Sequence, residues 1–267
     1  MYFPEDCGEM HEALKTLTSG GDPFFVLGGG TNVLVGDGYW DGAVIVTTRM
    51  TRHEAESDRL RCSSGLPSSD VADIALEHGK TGLEFLYWLP GSIGGAVAGN
   101  ARFDDINVSD VLLSLTAVHP ERDLRKFEAG DIDFSYKHNR IVREGWFICE
   151  VELAWKDGDP AAIRSRMDGI ERFRNENSHF EFPSCGCIFK NDHEKNVQAG
   201  RLLDSLGLKG MGVGGAEVAP FHANFIINTG NATARDVLGL IERIEYIVKE
   251  KTGITLEREV RLYGTFE

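Results

Sequence analysis

Phe24-Phe25-Val26-Leu27-Gly28-Gly29-Gly30-Thr31-Asn32-Val33-Leu34-Val35 is the stretch on which the fold turns. Its first four residues are apolar and strand-forming, and so are its last three. Between them stand three glycines, whose backbone N–H groups no side chain covers. Such a run builds either a plain turn between strands or a concave nest for a phosphate group. The dinucleotide fingerprint of a βαβ unit sets its glycines at the opening of a helix. Here a strand follows instead, which argues against a nicotinamide-binding domain of that type.

Upstream, Ala13, Leu14 and Leu17 have helical spacing, and Gly20-Gly21-Asp22-Pro23 ends that helix. Downstream, residues 43–46 read as a further strand. Ser68-Ser69-Asp70 precede Val71, Ile74, Ala75 and His78, an amphipathic helical pattern, with Gly79 where a left-handed C-terminal cap belongs. A second glycine cluster, Pro90-Gly91-Ser92-Ile93-Gly94-Gly95-Ala96, runs on to Asn100 and Ala101. No bulky side chain keeps a ligand from the backbone between Gly94 and Gly95, and two such loops can clasp one diphosphate. Strands follow at residues 113–119 and 146–155. Asp157-Gly158-Asp159-Pro160 favours a turn and sets the expected boundary between a first domain, 1–157, and a second, 158–267.

The second part opens with a predicted helix over 161–174. Thr233 and Asp236 make a capping-box start, and Val237, Leu240, Ile241, Ile244, Ile247 and Val248 form one apolar face ending near Gly253. A closing strand is predicted over 256–262, with Glu259 and Arg261 on one side of it. Strands and helices mix without repeats, so the fold class is α+β.

With 267 residues the chain can bury one large core or two modest ones. A formal charge of −14, from 28 basic and 42 acidic residues, argues against a nucleic-acid partner and leaves small anionic ligands open. No apolar run approaches the roughly 18 to 20 residues of a membrane span. Five cysteines, at positions 7, 62, 149, 185 and 187, with no signal-peptide pattern, read as reduced cytoplasmic thiols. Cys185 and Cys187 lack both the spacing and the second pair of a zinc site, so no metal is expected. The thiol after Gly186 is a candidate proton donor or nucleophile, or an inert buried cysteine. Glu259 and Arg261 are either a solvated charge ladder or a catalytic pair.

Read in order, these segments resemble the UDP-N-acetylenolpyruvoylglucosamine reductase (MurB) family. The resemblance rests on 26–35, on Gly82-Leu83-Glu84-Phe85 through 90–97 to Asn100-Ala101, and on Phe134-Ser135-Tyr136-Lys137. It continues through 183–191, Ala199-Gly200-Arg201-Leu202-Leu203, Gly207-Leu208-Lys209-Gly210, His222-Ala223-Asn224-Phe225 and Glu259-Val260-Arg261. It implies a vanillyl-alcohol-oxidase-like (PCMH-like) FAD-binding domain followed by a smaller α+β substrate-binding domain. The implied cofactors are FAD and NADPH, and the implied substrate is UDP-N-acetylglucosamine-enolpyruvate. The implied chemistry delivers hydride to C3 of the enolpyruvyl group and a proton from an enzymic acid to C2, giving UDP-N-acetylmuramate for peptidoglycan.

By the same resemblance Gly28, Gly29, Gly30, Thr31, Asn32, Pro90, Gly91, Ser92, Gly94, Gly95, Asn100 and Ala101 hold the cofactor. Cys187, Glu259 and Lys137 are catalytic, while Tyr136, Lys190, Asn191 and Arg261 bind substrate. The family's proton donor is typically a serine, and here Cys187 takes its place. A thiol ordinarily loses its proton at a pH of roughly 8.5 and is a stronger acid than a hydroxyl, so the role survives. The family's Tyr-Arg-x-Ser appears as Tyr136-Lys137-His138-Asn139, a point charge for a forked guanidinium, with Arg140 as an alternative cation. The chain starts at a point resembling the segment just after the family's first strands, so a short FAD domain is expected. Residues 139–155 contain no tyrosine, which resembles the subgroup without a tyrosine loop. Two other readings fit the same residues: a flavin oxidoreductase of this fold with another substrate, and a non-catalytic nucleotide-sugar-binding homologue.

Overall fold

Asp6 starts the first helix, Cys7–Gly20, by accepting the Glu9 N–H with its carboxylate, and Gly21 ends it in the left-handed conformation (φ 72°). Met10, Leu14 and Leu17 on its inner face are buried with Ile45 and Met50. This is a computed structural model, and it describes residues 1–177 and 180–266. The chain divides into two units, Met1–Gly29 with Asp41–Phe173, and Gly30–Trp40 with Arg174–Glu267. The division passes between Gly29 and Gly30, so the glycine run is where the chain leaves one unit for the other.

In the first unit, Phe24–Leu27 pairs in parallel with Ala43–Val46. Beside this pair lies a five-stranded antiparallel sheet in the order Arg122–Glu128, Leu112–His119, Phe147–Ala154, Arg59–Ser63, His53–Ala55. The alternation of its central strand explains its two faces. Val151 and Leu153 meet Cys62 and Leu60 in register and are buried with residues of helices Ser68–Glu77 and Ile93–Ala98. Glu152 faces the other way, 5% exposed, and accepts from Lys126 Nζ at 3.0 Å, Arg61 Nε at 3.2 Å and Arg59 at 3.3 Å. Burial raises the pKa of this carboxyl, but those hydrogen bonds outweigh it and bring the value down to about 2.

The second unit holds a four-stranded antiparallel sheet in the order Ser184–Cys187, Phe225–Asn228, Ala216–Val218, Gly212–Val213. Helix Ala234–Thr252 buries Val237, Leu240, Ile241, Ile244 and Val248 in this unit's core. Its capping box of Thr233 and Asp236 is the one expected from the sequence, and the helix ends where expected, at Gly253, in the left-handed conformation (φ 72°). The Asp37 carboxylate accepts the Ala234 N–H at 2.6 Å and adds a negative charge at the same helix start.

Four expectations need correction. The strands flanking the glycine run do form, but they do not pair with each other: Val33–Val35 pairs in parallel with Arg261–Tyr263 instead. The strand predicted over 256–262 reduces to Arg261–Tyr263. Before it, Lys190 N–H donates to Glu257 O at 2.8 Å and Glu259 N–H to Ile188 O at 2.7 Å. The chain then bends at buried Val260 and changes partner, so Glu259 and Arg261 do not share one regular strand. Cys7 and Cys149 form a disulfide, with Cα atoms 5.4 Å apart, rather than two free thiols. Packing of the first helix over the central strand brings them together from 142 positions apart. Finally, the domains are not simply consecutive in sequence. Helix Pro160–Glu176 sends Ile163 and Met167 into the first unit's core, past the boundary read at 157, and Gly30–Trp40 belongs to the second.

Candidate active site

The two glycine loops of the first unit meet backbone to backbone. A Cβ on Gly29 would stand 2.7 Å from Gly91 Cα and 3.3 Å from Ser92 N, and one on Gly28 would stand 2.5 Å from Ser92 Oγ. A Cβ on Gly94 would lie 2.5 Å from Ser64 Cβ. At Gly29 and Gly94, which face backbone atoms, only glycine permits this approach. Ile93 N–H donates to Leu66 O and Gly94 N–H to Ser64 O, both at 2.9 Å, which pins the second loop to the first unit. Pro90 leads into Gly91, whose φ of 100° suits glycine alone. Ser92 accepts the Gly95 N–H at 3.4 Å. The result is a pair of loops abutting through glycines that carry no side chain, a backbone cradle of the kind that suits the diphosphate of FAD.

Asn100 links this cradle to the next candidate group. It is 7% exposed, its Oδ1 accepts the Ser109 N–H at 3.1 Å, and its Nδ2 donates to Ser135 O at 3.5 Å. The neighbouring Ala101 closes the short helix by donating its N–H to Ala96 O at 2.8 Å. Ser135 begins a two-residue hairpin turn, with Phe134–Ser135 paired to His138–Asn139, that carries Tyr136 and Lys137 at its tip. Lys137 has φ 54°. Asn139 is buried and holds the hairpin's far side, donating to Val97 O at 3.3 Å and accepting the Ile141 N–H at 2.9 Å. Asn139 stands at the serine position of the family's Tyr-Arg-x-Ser, and an Asn ahead of helix Arg140–Arg143 is the cue for an N-cap. The guanidinium of Arg140, the alternative cation, is engaged by Glu144 at 3.0 Å and by Asp131 O at 2.9 Å.

Near the cradle, Glu84 is 7% exposed and accepts from Gly82 N–H at 2.7 Å, Thr81 Oγ1 at 2.6 Å and Arg166 Nε at 3.0 Å. Burial pushes its pKa up, and the bonds from Thr81, Arg166 and Gly82 more than offset that. This carboxylate ties helix Pro160–Glu176 to the first unit; its Arg166 partner has no local signal in the sequence.

The remaining candidates, Gly30, Thr31, Asn32, Cys187, Lys190, Asn191, Glu259 and Arg261, all belong to the second unit. Gly186, at φ 74°, sits beside Thr31 O, 3.9 Å from where its Cβ would be. Asn32 Nδ2 donates to Glu259 O at 3.3 Å, and Asn32 O accepts the Arg261 N–H at 3.1 Å. The end of the glycine run therefore touches both the segment of Cys187 and the segment of Glu259. Cys187 is partly exposed, whereas Cys185 is buried and its thiol is pushed up to about 11. Lys190 is ion-paired with Glu257 at 2.6 Å, a partner that no motif signals. Asn191 Oδ1 accepts the Ala199 N–H at 2.9 Å, so this amide also fixes the start of helix Ala199–Ser205.

A glycine cradle in one unit, and in the other a main chain that joins the end of the glycine run to the segments of Cys187 and Glu259, point to the class of two-unit flavin-binding proteins. The family model described as "FAD binding domain" matches residues 1–127. That described as "UDP-N-acetylenolpyruvoylglucosamine reductase, C-terminal domain" matches residues 178–263. A UDP-N-acetylenolpyruvoylglucosamine reductase of Clostridium novyi is 39% identical over 242 residues, 91% of this chain and 78% of that one. One of Geobacillus kaustophilus is 36% identical over 264 residues, 99% and 86% of the two chains. The crystal structure of UDP-N-acetylenolpyruvylglucosamine reductase (MurB) from Thermus caldophilus superposes with a TM-score of 0.81 at 29% identity, covering 98% of this chain and 91% of that one. The chain belongs to the UDP-N-acetylenolpyruvoylglucosamine reductase family.

Proposed function

We propose that this protein reduces the enolpyruvyl ether of UDP-N-acetylglucosamine-enolpyruvate to the lactyl ether of UDP-N-acetylmuramate, a step of peptidoglycan precursor synthesis. FAD, when bound, would supply the hydride that goes to C3, with NADPH in the cytoplasm as its reductant. The observation that carries the reading is the junction at Asn32: one residue of the glycine run hydrogen-bonds the main chain at both Glu259 and Arg261, and Glu259 N–H bonds the residue after Cys187.

In this reading the first unit is the FAD domain and the second binds substrate. Backbone N–H groups of Gly28, Gly29, Gly30, Thr31 and Asn32, with those of Gly91 and Ser92, would receive the diphosphate, while Pro90, Gly94 and Gly95 shape the second loop. Asn100 and Ala101 hold the second loop in shape. Once C3 has taken hydride, negative charge collects at C2 and on the adjoining carboxylate. Lys137, at the hairpin tip with Tyr136, is the cation for that carboxylate. Cys187 holds the proton on Sγ and gives it to C2, and Glu259 orients the group that receives it. Lys190, Asn191 and Arg261 bind the sugar nucleotide.

The test follows the visible flavin absorbance anaerobically through addition of NADPH and then of the enolpyruvyl sugar nucleotide. Wild-type protein should bleach and then recover. Cys187→Ser should recover measurably, and Cys187→Ala should bleach normally yet recover at least about 100-fold more slowly. Bleaching of the wild type without recovery would discard the substrate. Equal, full recovery in both variants would remove Cys187 from the chemistry.

A further inference from the structure

Asn224 does for the Cys187 segment what a neighbouring strand would do. Regular pairing of Ser184–Cys187 with Phe225–Asn228 ends at the Cys187 to Phe225 match. Beyond it, Ile188 N–H donates to Asn224 O at 2.9 Å. The side-chain amide then takes over: Oδ1 accepts the Phe189 N–H at 3.0 Å and Nδ2 donates to Phe189 O at 2.8 Å. Asn224 is 4% exposed and Phe189 1%, so water offers little substitute for either bond. An amide presents a donor and an acceptor side by side, as a peptide group does, and an ionised carboxylate does not.

The opposite edge of the same segment is held by Lys190 N–H to Glu257 O and by Glu259 N–H to Ile188 O. Residues 188–190 are thus gripped from both sides, with Cys187 at one end and Lys190 at the other. Asn224 is itself fixed from its own turn. Its N–H donates to His222 Nδ1 at 3.2 Å, and Phe225 N–H donates to His222 O at 3.0 Å. Burial holds the His222 pKa below its ordinary value, which favours the neutral ring that Nδ1 acceptance requires.

We propose that Asn224 is a positioning residue for proton transfer, fixing the backbone that aims Cys187 and Lys190 at the substrate. The inference rests on the assignment of Cys187 as proton donor. A donor displaced by even about 1 Å loses up to about two orders of magnitude in rate. Asn224 touches no reacting atom, so its loss acts on the protonation half-reaction and spares reduction by NADPH.

The experiment compares wild type, Asn224→Ala, Asn224→Asp, Cys187→Ala and the Asn224→Ala/Cys187→Ala double variant. Bleaching by NADPH and recovery with the enolpyruvyl sugar nucleotide are timed separately in each. Alkylation of Cys187 by iodoacetamide is measured on flavin-free protein as a readout independent of turnover. Asn224→Ala should slow recovery about 10- to 100-fold, leave bleaching within about twofold, and change the alkylation rate at least about threefold. Asn224→Asp keeps the side chain's size and, when its carboxyl is protonated, both hydrogen bonds. Its recovery rate should therefore rise towards wild type as pH is lowered, a trend absent from Asn224→Ala, and this variant stands in if Asn224→Ala fails to fold. The double variant should be no slower than Cys187→Ala. Unchanged recovery and alkylation in Asn224→Ala would overturn the proposal, as would losses that multiply in the double variant. Full recovery in Cys187→Ala beside slow recovery in Asn224→Ala would instead bring down the donor assignment.

Discussion

Replacing Gly29 by alanine tests whether the abutting loops hold the cofactor. The added Cβ would stand 2.7 Å from Gly91 Cα, 3.2 Å from Gly91 C and 3.3 Å from Ser92 N, all of them backbone atoms that cannot rotate away. Carbon atoms in contact sit about 3.5 to 4.0 Å apart, so the loops must part by about 1 Å. A backbone N–H set about 2.9 Å from a phosphate oxygen is then out of range, and two such charge-assisted bonds are together worth at least about 3 kcal/mol. That predicts an FAD Kd raised about 100-fold. Gly28→Ala should cost less, because its nearest contact is the Ser92 hydroxyl, a side-chain atom that can turn. Gly169→Ala, in helix Pro160–Glu176 with nothing within 4 Å of the new methyl, is the control. The assay is quenching of flavin fluorescence on titrating FAD into stripped protein, with the melting temperature of each flavin-free variant recorded alongside. A Gly29→Ala protein that melts normally and binds FAD within about threefold of wild type would refute the reasoning, since a shift that small is under about 1 kcal/mol.

Two other outcomes follow from named contacts. Glu152 has its pKa lowered from 4.5 to about 2 in the folded protein, so its contribution is complete above pH 4.5 and is lost as pH falls through about 2. Glu152→Gln should cost about 2 kcal/mol at pH 7 in urea unfolding, a figure discounted for the water-exposed Arg61 and Lys126, and the gap should close as pH falls from 4.5 towards 2; a cost that is the same at both ends would contradict the ion network. Lys137→Met should cut kcat/KM for the enolpyruvyl sugar by at least about tenfold while Lys137→Arg keeps it within about threefold, because the site asks for a cation; steady-state kinetics showing equal activity in both would move the carboxylate contact elsewhere.

Where local chemistry decides, the sequence was readable. Thr233, Asp236 and Gly253 mark both ends of helix Ala234–Thr252 because capping involves only neighbouring residues. Val33-Leu34-Val35 after the glycines ruled out a helix there, and the strand is present. Long-range choices were not readable. The segment before Arg261 has two competing partners, 188–190 and then Val33–Val35, and no alternation pattern reveals a change of partner. Cys7 carries no mark that points to Cys149, nor Lys190 one that points to Glu257. Within the candidate site, the motifs supply candidates only, while the supporting contacts of Asn139, Glu84 and Asn224 depend on burial that only the folded chain creates.

The exchange of the chain between units at Gly29 and Gly30 also bears on its synthesis. Val33–Val35 leaves the ribosome long before its pairing partner, Arg261–Tyr263. Asp37, which meets the start of helix Ala234–Thr252, waits nearly as long. The second unit therefore cannot be completed until Arg261–Tyr263 has been made, and its early strand must wait for that partner, a contact of high sequence separation that slows folding and invites misassembly. A fragment beginning at Arg174 would lack that strand and that aspartate altogether, so the second unit is not separable by cutting the chain once.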